Sequence, residues 1–254
     1  MDSQMQQIVD SIASLPGHWH GAGTVTREVL LAIIHHAGAI GTIHHSVETG
    51  SGKTTLLFSH LSKDHVVFAV DAGKSISQVK CSPLFNASRT VFVEGPTQRT
   101  LPKHHFANKD QVVLLDGPHG YPFPDLEYYY LYPTVDTGGL LVIDDIRIPT
   151  IGRMFDIVRA DGMFDVIEVV NNNTAFLRRT GSPVIDPESD SWWLQGFNRA
   201  HFDHLSRPMS KGSSLLYATS RIIPKRIKQY IPARLKRMFY PSPSIGARTK
   251  RATL

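Results

Sequence analysis

Three acidic side chains and one imidazole are spaced to do chemistry together. Asp116 closes an apolar run at Leu115, and Asp144-Asp145 close another at Ile143. If those runs are neighbouring parallel strands, their carboxylates converge and, unpaired, repel one another. A hard divalent cation such as Mg²⁺ relieves that repulsion and keeps coordination positions for a substrate oxygen. His119, three residues beyond Asp116, titrates near neutral pH and can take a proton from a hydroxyl as its oxygen attacks. A second constellation is the loop Glu48-Thr-Gly50-Ser-Gly52-Lys53-Thr54, whose glycines allow close backbone approach to a ligand and which leads into a helical segment. A third is Asp71, at the end of Val66-Val-Phe-Ala-Val, where a carboxylate can accept hydrogen bonds from ribose hydroxyls.

The elements that must position these groups are legible in the hydropathy. Residues 1–40 carry two apolar runs with helical spacing, around Met5–Ile12 and Thr26–Ile34. Short β-type runs then recur at Thr42–Val47, His65–Val70, Arg89–Val93, Gln111–Leu115 and Leu140–Ile143, each followed directly by an acidic residue. Most lead into helix-compatible stretches, the pattern of parallel βαβ units, whose ligands bind beyond the carboxyl ends of the strands. Phe164–Val170 and Thr174–Arg178, joined by Asn171-Asn-Asn, read as an antiparallel pair. The expected domains are a helical segment on the acceptor side over 1–40, a catalytic α/β domain over 41–180, an irregular lid or insertion over 181–220 and a basic tail over 221–254.

Gly52-Lys53-Thr54 imitates the end of a phosphate-binding loop, and Leu140–Asp145 imitates a Walker B strand. The full loop needs a glycine five positions before Gly52, where Val47 stands, so an ATP-binding P-loop protein is the alternative and not the first choice.

The chain from about Glu28 to Arg179 resembles the class I S-adenosylmethionine-dependent methyltransferases. It is most similar to the metal-dependent O-methyltransferases of the catechol, caffeoyl-CoA and macrocin types. Three stretches carry the likeness: Val47-Glu-Thr-Gly-Ser-Gly-Lys-Thr-Thr; Val93-Glu-Gly-Pro-Thr-Gln98; and Leu115-Asp-Gly-Pro-His-Gly-Tyr with Gly138-Gly-Leu-Leu-Val-Ile-Asp-Asp145. The resemblance implies a Rossmann-like α/β fold with a seven-stranded, mostly parallel sheet, an antiparallel last strand and helices on both faces. It implies S-adenosylmethionine and Mg²⁺ or another divalent cation as cofactors. Glu48, Gly50, Gly52 and Thr54 would line the methionine half, Asp71 would hold the ribose, and Thr97 and Gln98 would contact adenine. Asp116 would serve both cofactor and metal, Asp144 and Asp145 would complete the metal set, and His119 would be the base where catechol-type enzymes have lysine. The expected activity is O-methylation of a small polar hydroxylated acceptor, with an N-methyltransferase of the same fold as a variant.

The formal net charge of +5 is unevenly distributed. Ten basic and no acidic residues fall between Arg221 and Arg251, leaving 17 basic against 22 acidic side chains in residues 1–220. The mildly acidic body gives no reason to expect a nucleic-acid partner, whereas the tail interleaves basic and large apolar residues in a way suited to peripheral membrane contact. A single cysteine, Cys81, excludes an intrachain disulfide framework. The first 25 residues lack a secretory pattern, and the expected location is the cytoplasm or its membrane surface. A homo-oligomer is compatible with all of these features.

Overall fold

The computed structural model describes residues 3–17, 19, 24–184 and 192–205. The chain divides into two units, Met1–Arg199 and Ala200–Leu254. The first unit begins with helices α1 (Ser3–Ala13) and α2 (Arg27–Gly38), then alternates strands and helices: β1 (Ile43–Thr49), α3 (Lys53–Leu61), β2 (Ser62–Ala69), α4 (Ser75–Cys81), β3 (Thr90–Glu94), α5 (Thr97–Thr100), β4 (Asp110–Leu115), α6 (Phe123–Leu131), β5 (Val135–Ile143), α7 (Pro149–Ala160), β6 (Phe164–Val170) and β7 (Thr174–Arg179). Helix α8 (Gly196–Leu205) carries the chain from the first unit into the second, whose described residues are its last six. Part of the segment expected to be irregular, 181–220, is thus helical. Residues 206–220 and the basic tail 221–254 lie outside the described residues.

One seven-stranded sheet has the order β3-β2-β1-β4-β5-β7-β6. Strands β1 to β5 pair in parallel, and β7 runs antiparallel to both β5 and β6. The expected mostly parallel sheet with an antiparallel last strand is the observed one. Its central strands are buried on both faces, as the near-continuous apolar runs require. Strand alternation divides their side chains between two cores. Val112, Leu114, Leu140 and Val142 pack with Val9 and Ile12 of α1, Ile33 of α2 and Leu56 of α3. Val113, Leu115, Leu141 and Ile143 pack on the opposite face with Leu131 of α6 and Met154 and Val158 of α7. The strands' carboxyl ends therefore lie between two helical layers and are held rigidly from both.

Two boundaries differ from the sequence expectation in ways that matter. Strand β1 runs to Thr49, so Glu48 is a strand residue and not the first residue of the loop. Strand β5 begins at Val135, because polar Asp136 and Thr137 extend an exposed end of the pairing with β4. Among the described residues no helix is long and apolar enough to cross a membrane.

Candidate active site

A cavity of about 680 Å³ opens where the parallel strands end. It lies within the roughly 300–1,000 Å³ typical of small-molecule sites. Its floor is the loop after β1. Gly50 has φ +87° there, and a Cβ on it would stand 2.2 Å from the Asp116 carbonyl oxygen. Only glycine lets the β1 and β4 ends approach this closely. A similar contact recurs at Gly117, where a Cβ would meet Glu127 Oε1 at 2.0 Å.

Among the residues singled out from sequence, the cavity brings together Gly50, Gly52, Thr54, Thr97, Gln98, Asp116, His119, Asp144 and Asp145. Two are placed otherwise. Glu48 is 0% exposed and does not line the cavity. Its carboxylate accepts from Thr55 Oγ1 and lies 3.2 Å from His65 Nε2. Because β1 is longer than expected, alternation turns Glu48 beneath α3, away from the ligand space. Asp71 is exposed, and its carboxylate accepts from Ser77 N–H at 3.1 Å and Ser77 Oγ at 2.5 Å, which holds its pKa below the usual carboxylate value. Its neighbours Val70 and Ala72 line the cavity instead.

At the β4 and β5 ends, His119 Nε2 lies 3.9 Å from Asp116 Oδ1 and 3.3 Å from Asp145 Oδ2. The imidazole is 42% exposed, the two carboxylates 30% and 31%. The neighbouring carboxylates of Asp116 and Asp145 raise the His119 pKa above its usual value, against partial burial. Partial burial pushes Asp116 up to about 7, opposed by the neighbouring His119 and reinforced by the like charges of Asp144 and Asp145. One donor atom from each of Asp116, His119 and Asp145 falls within 4.8 Å of the others, a cluster able to hold a metal ion.

Asp144, also expected in that set, lines the cavity and is held by hydrogen bonds from the start of β7 and the turn before it. Thr174 Oγ1 donates to Asp144 Oδ1 at 2.5 Å, and Asn173 Nδ2 donates to Asp144 at 3.2 Å and to Asp145 at 2.9 Å. Asp145 has φ +55°, a left-handed conformation that aspartate tolerates better than most residues. The β6–β7 turn thus orients both β5 carboxylates, a contribution that the asparagine run discloses only as a turn.

Sequence reasoning also missed the walls. Thr24, Val25, Thr26 and Val29 from the start of α2, and Asn171 from the β6–β7 turn, line the cavity. Asn171 Nδ2 donates to Thr26 Oγ1 at 3.0 Å and ties the two together. Beneath the floor Glu127, 2% exposed, accepts from Thr49 Oγ1 at 2.8 Å, and Thr49 Oγ1 in turn accepts from the Asp116 N–H at 3.0 Å. Burial pushes Glu127 up to about 7, against hydrogen bonding by Thr97 and Thr49. A lone glutamate in a tyrosine-rich helix gave no sign of this role. Lys53, the mimic of a P-loop lysine, donates from Nζ to the Leu15 carbonyl at 2.8 Å.

The sheet order and the cavity at the strand ends define the fold of the S-adenosylmethionine-dependent methyltransferases. The solved structures similar to this one agree. The O-methyltransferase NovP matches with a TM-score of 0.51 at 16% identity, over 69% of this chain and 99% of that one. The SAH-bound Podospora anserina methyltransferase PaMTH1 matches with 0.52 at 13%, over 71% and 89%. Cofactor-bound Rv0187 from MTB matches with 0.52 at 18%, over 70% and 88%. No protein-family model matches the chain, and no curated protein matches it by sequence.

Proposed function

We propose that the protein is an S-adenosylmethionine-dependent methyltransferase that methylates an oxygen of a small polar hydroxylated acceptor with the help of a divalent cation. The observation that carries this is the meeting, in one cavity at the strand ends, of the glycine floor at Gly50 with the Asp116–His119–Asp145 cluster. The residues fit both absent groups. The cavity of about 680 Å³ lined by Gly50, Gly52, Thr54, Thr97 and Gln98 suits a small-molecule cofactor, and the gathered carboxylate and imidazole donors suit a divalent ion. The cofactor supplies an electrophilic methyl on a sulfonium, and the cation would lower the pKa of the acceptor hydroxyl.

The chain's own residues do the rest. Gly50, Gly52 and Thr54 receive one end of the cofactor, and Thr97 and Gln98 the other. Asp116 and Asp145 would hold the cation, while Asn173 and Thr174 fix the β5 carboxylates from behind. His119 takes the acceptor's proton at Nε2, and the adjacent carboxylates stabilise the resulting imidazolium. Transfer then rests mainly on alignment of acceptor and methyl, which the rigid strand ends provide. A second assignment of His119, as the third metal donor, is favoured by the convergence within 4.8 Å. Of the expected domains, the N-terminal helical segment is proposed as one acceptor wall through Thr24–Thr26.

The test is transfer of labelled methyl from S-adenosylmethionine to a panel of small hydroxylated compounds, with and without chelator. Oxygen-linked product that disappears on metal removal and returns with added cation is expected. Chelator-insensitive transfer would remove the metal role, and nitrogen-linked product would favour the N-methyltransferase variant. If His119→Ala binds the cation normally but turns over slowly, His119 is the base; if cation affinity collapses, it is a ligand.

A further inference from the structure

His119 stands in the loop between β4 and α6, with Gly117 two residues before it and Gly120 directly after it. Its imidazole is 42% exposed, so packing does little to fix the ring. A group that takes a proton or binds a cation must be held within about 0.5 Å of its working position, which rotamer preference alone does not secure. The structure grips this residue twice, and from one turn. Asp145 Oδ2 lies 3.3 Å from His119 Nε2, and five residues further on Thr150 Oγ1 donates to the His119 carbonyl at 2.5 Å.

The turn between those two grips is itself tightly made. Ile146 N–H donates to the Asn173 carbonyl at 2.9 Å, and Ile148 N–H to the Asp145 carbonyl at 2.8 Å. Pro149 opens α7, where a missing N–H costs nothing. A Cβ on Gly152 would stand 2.6 Å from the Ile146 carbonyl oxygen, so the first turn of α7 lies directly against the turn that precedes it. Ile151, Met154 and Val158 anchor the helix in the core below. Thr150 therefore reaches the His119 backbone from a fixed base, and its β-branched side chain offers the hydroxyl in few rotamers. Thr150 does not line the cavity, so whatever it does to the chemistry it does through His119. The Gly120 carbonyl accepts from Phe123 N–H at 2.9 Å, a bond that stays within the loop and does not tie it to the sheet.

We propose that Thr150 is a positioning residue for the reaction: by fastening the His119 carbonyl to α7 it keeps the imidazole against Asp145 and turned to the cavity. The proposal rests on the methyltransferase reading above. It applies to His119 as base or as metal donor, since either use needs Nε2 in the same place.

Two substitutions in the full chain test it. Thr150→Val keeps the shape and removes the donor, while Thr150→Ser keeps the donor. Crystal structures of both variants read the ring directly and need no acceptor. In Thr150→Val, His119 Nε2 is expected to shift by about 1 Å or more away from Asp145, a misplacement that costs about 10- to 100-fold in rate. In Thr150→Ser the ring should stay. Labelled-methyl transfer to a hydroxylated acceptor should show that loss in kcat with KM little changed for Thr150→Val, and most of the rate restored in Thr150→Ser. Calorimetry should give one S-adenosylhomocysteine affinity for all three proteins. An imidazole still in its wild-type place in Thr150→Val, or displaced equally in Thr150→Ser, assigns Thr150 to fastening α7 and overturns the proposal. A fall in S-adenosylhomocysteine affinity as large as the fall in kcat overturns it too, as general damage to the site. Wild-type protein that binds ATP and not S-adenosylhomocysteine would sink the methyltransferase reading, and the proposal with it. Binding of S-adenosylhomocysteine with a ring indifferent to Thr150 sinks the proposal alone.

Discussion

Two carboxylate–histidine clusters stand on the same sheet, one within β1 and β2 and one beyond the ends of β4 and β5, and they do opposite things. Glu48 and His65 meet at 3.2 Å with neither side chain exposed. Thr55 donates to Glu48, and Ser46 Oγ lies 2.8 Å from His65 Nδ1 and 2.6 Å from Ser62 Oγ. Phe58 stacks on the imidazole at 4.9 Å. Asp116, Asp145 and His119 meet at similar distances but keep 30–42% of each side chain exposed to the cavity. The residue types are nearly the same, so type does not distinguish structure from chemistry. What distinguishes them is whether the groups are sealed inside the protein, as Glu48 and His65 are, or face a space that a ligand can enter. The sealed cluster ties β1 and β2 to α3 and steadies the glycine floor from below; the open one acts on what sits on that floor.

The largest expected effect of breaking the comparison is at the open cluster. Asp116→Ala should lower turnover by about 10²- to 10⁴-fold, the scale of losing a positioned acid–base or metal group, while thermal stability changes little because the carboxylate faces the cavity. Steady-state rates and melting curves on the same preparation check both halves.

Gly50 lies between the two clusters, so Gly50→Ala should damage both. The added Cβ meets the Asp116 carbonyl in a left-handed backbone, and a loss of roughly 3 kcal/mol in denaturant unfolding is expected.

Glu127 supports the open cluster from a sealed position, and its effect is pH-dependent. Its folded pKa of about 7 lies above the ordinary 4.5, so the folded state binds this proton more tightly than the unfolded one. Stability from this group is present below pH 4.5 and is lost as pH rises through about 7, amounting to about 3 kcal/mol above that window. Glu127→Gln should remove this slope and exceed the wild type in stability at pH 8, as urea unfolding at pH 5 and pH 8 would reveal.

The smallest effect is expected at the sealed cluster. Glu48→Gln should cost about 1–3 kcal/mol of stability, the scale of a disturbed buried hydrogen-bond pair, and leave turnover per folded molecule at saturating cofactor unchanged. A turnover loss as large as that of Asp116→Ala would erase the distinction between the clusters.

The sheet was legible because buried parallel strands read as short apolar runs, and each run here stops at an acidic residue. Asp116, Asp144 and Asp145 stand where such runs end, and the structure brings them to one cavity together with His119, three residues further on. Glu48 was misplaced because β1 continues through it to Thr49, and in a strand a single position decides which face a side chain meets. Asp144 and Asp145 look equivalent in the sequence, and only the structure shows that Thr174 donates to Asp144 alone while Asn173 donates to both. Thr26 with Asn171, and Glu127 with Thr49, were illegible because their partners lie 145 and 78 residues away and no local pattern records such pairs.

The central claim is that the cavity over Gly50 is a site for S-adenosylmethionine. Titration calorimetry of the wild-type chain with S-adenosylhomocysteine tests it most directly, with ATP as the comparison. The account predicts one-to-one binding of S-adenosylhomocysteine that Gly50→Ala abolishes, and no comparable binding of ATP. Binding of ATP without S-adenosylhomocysteine would contradict it.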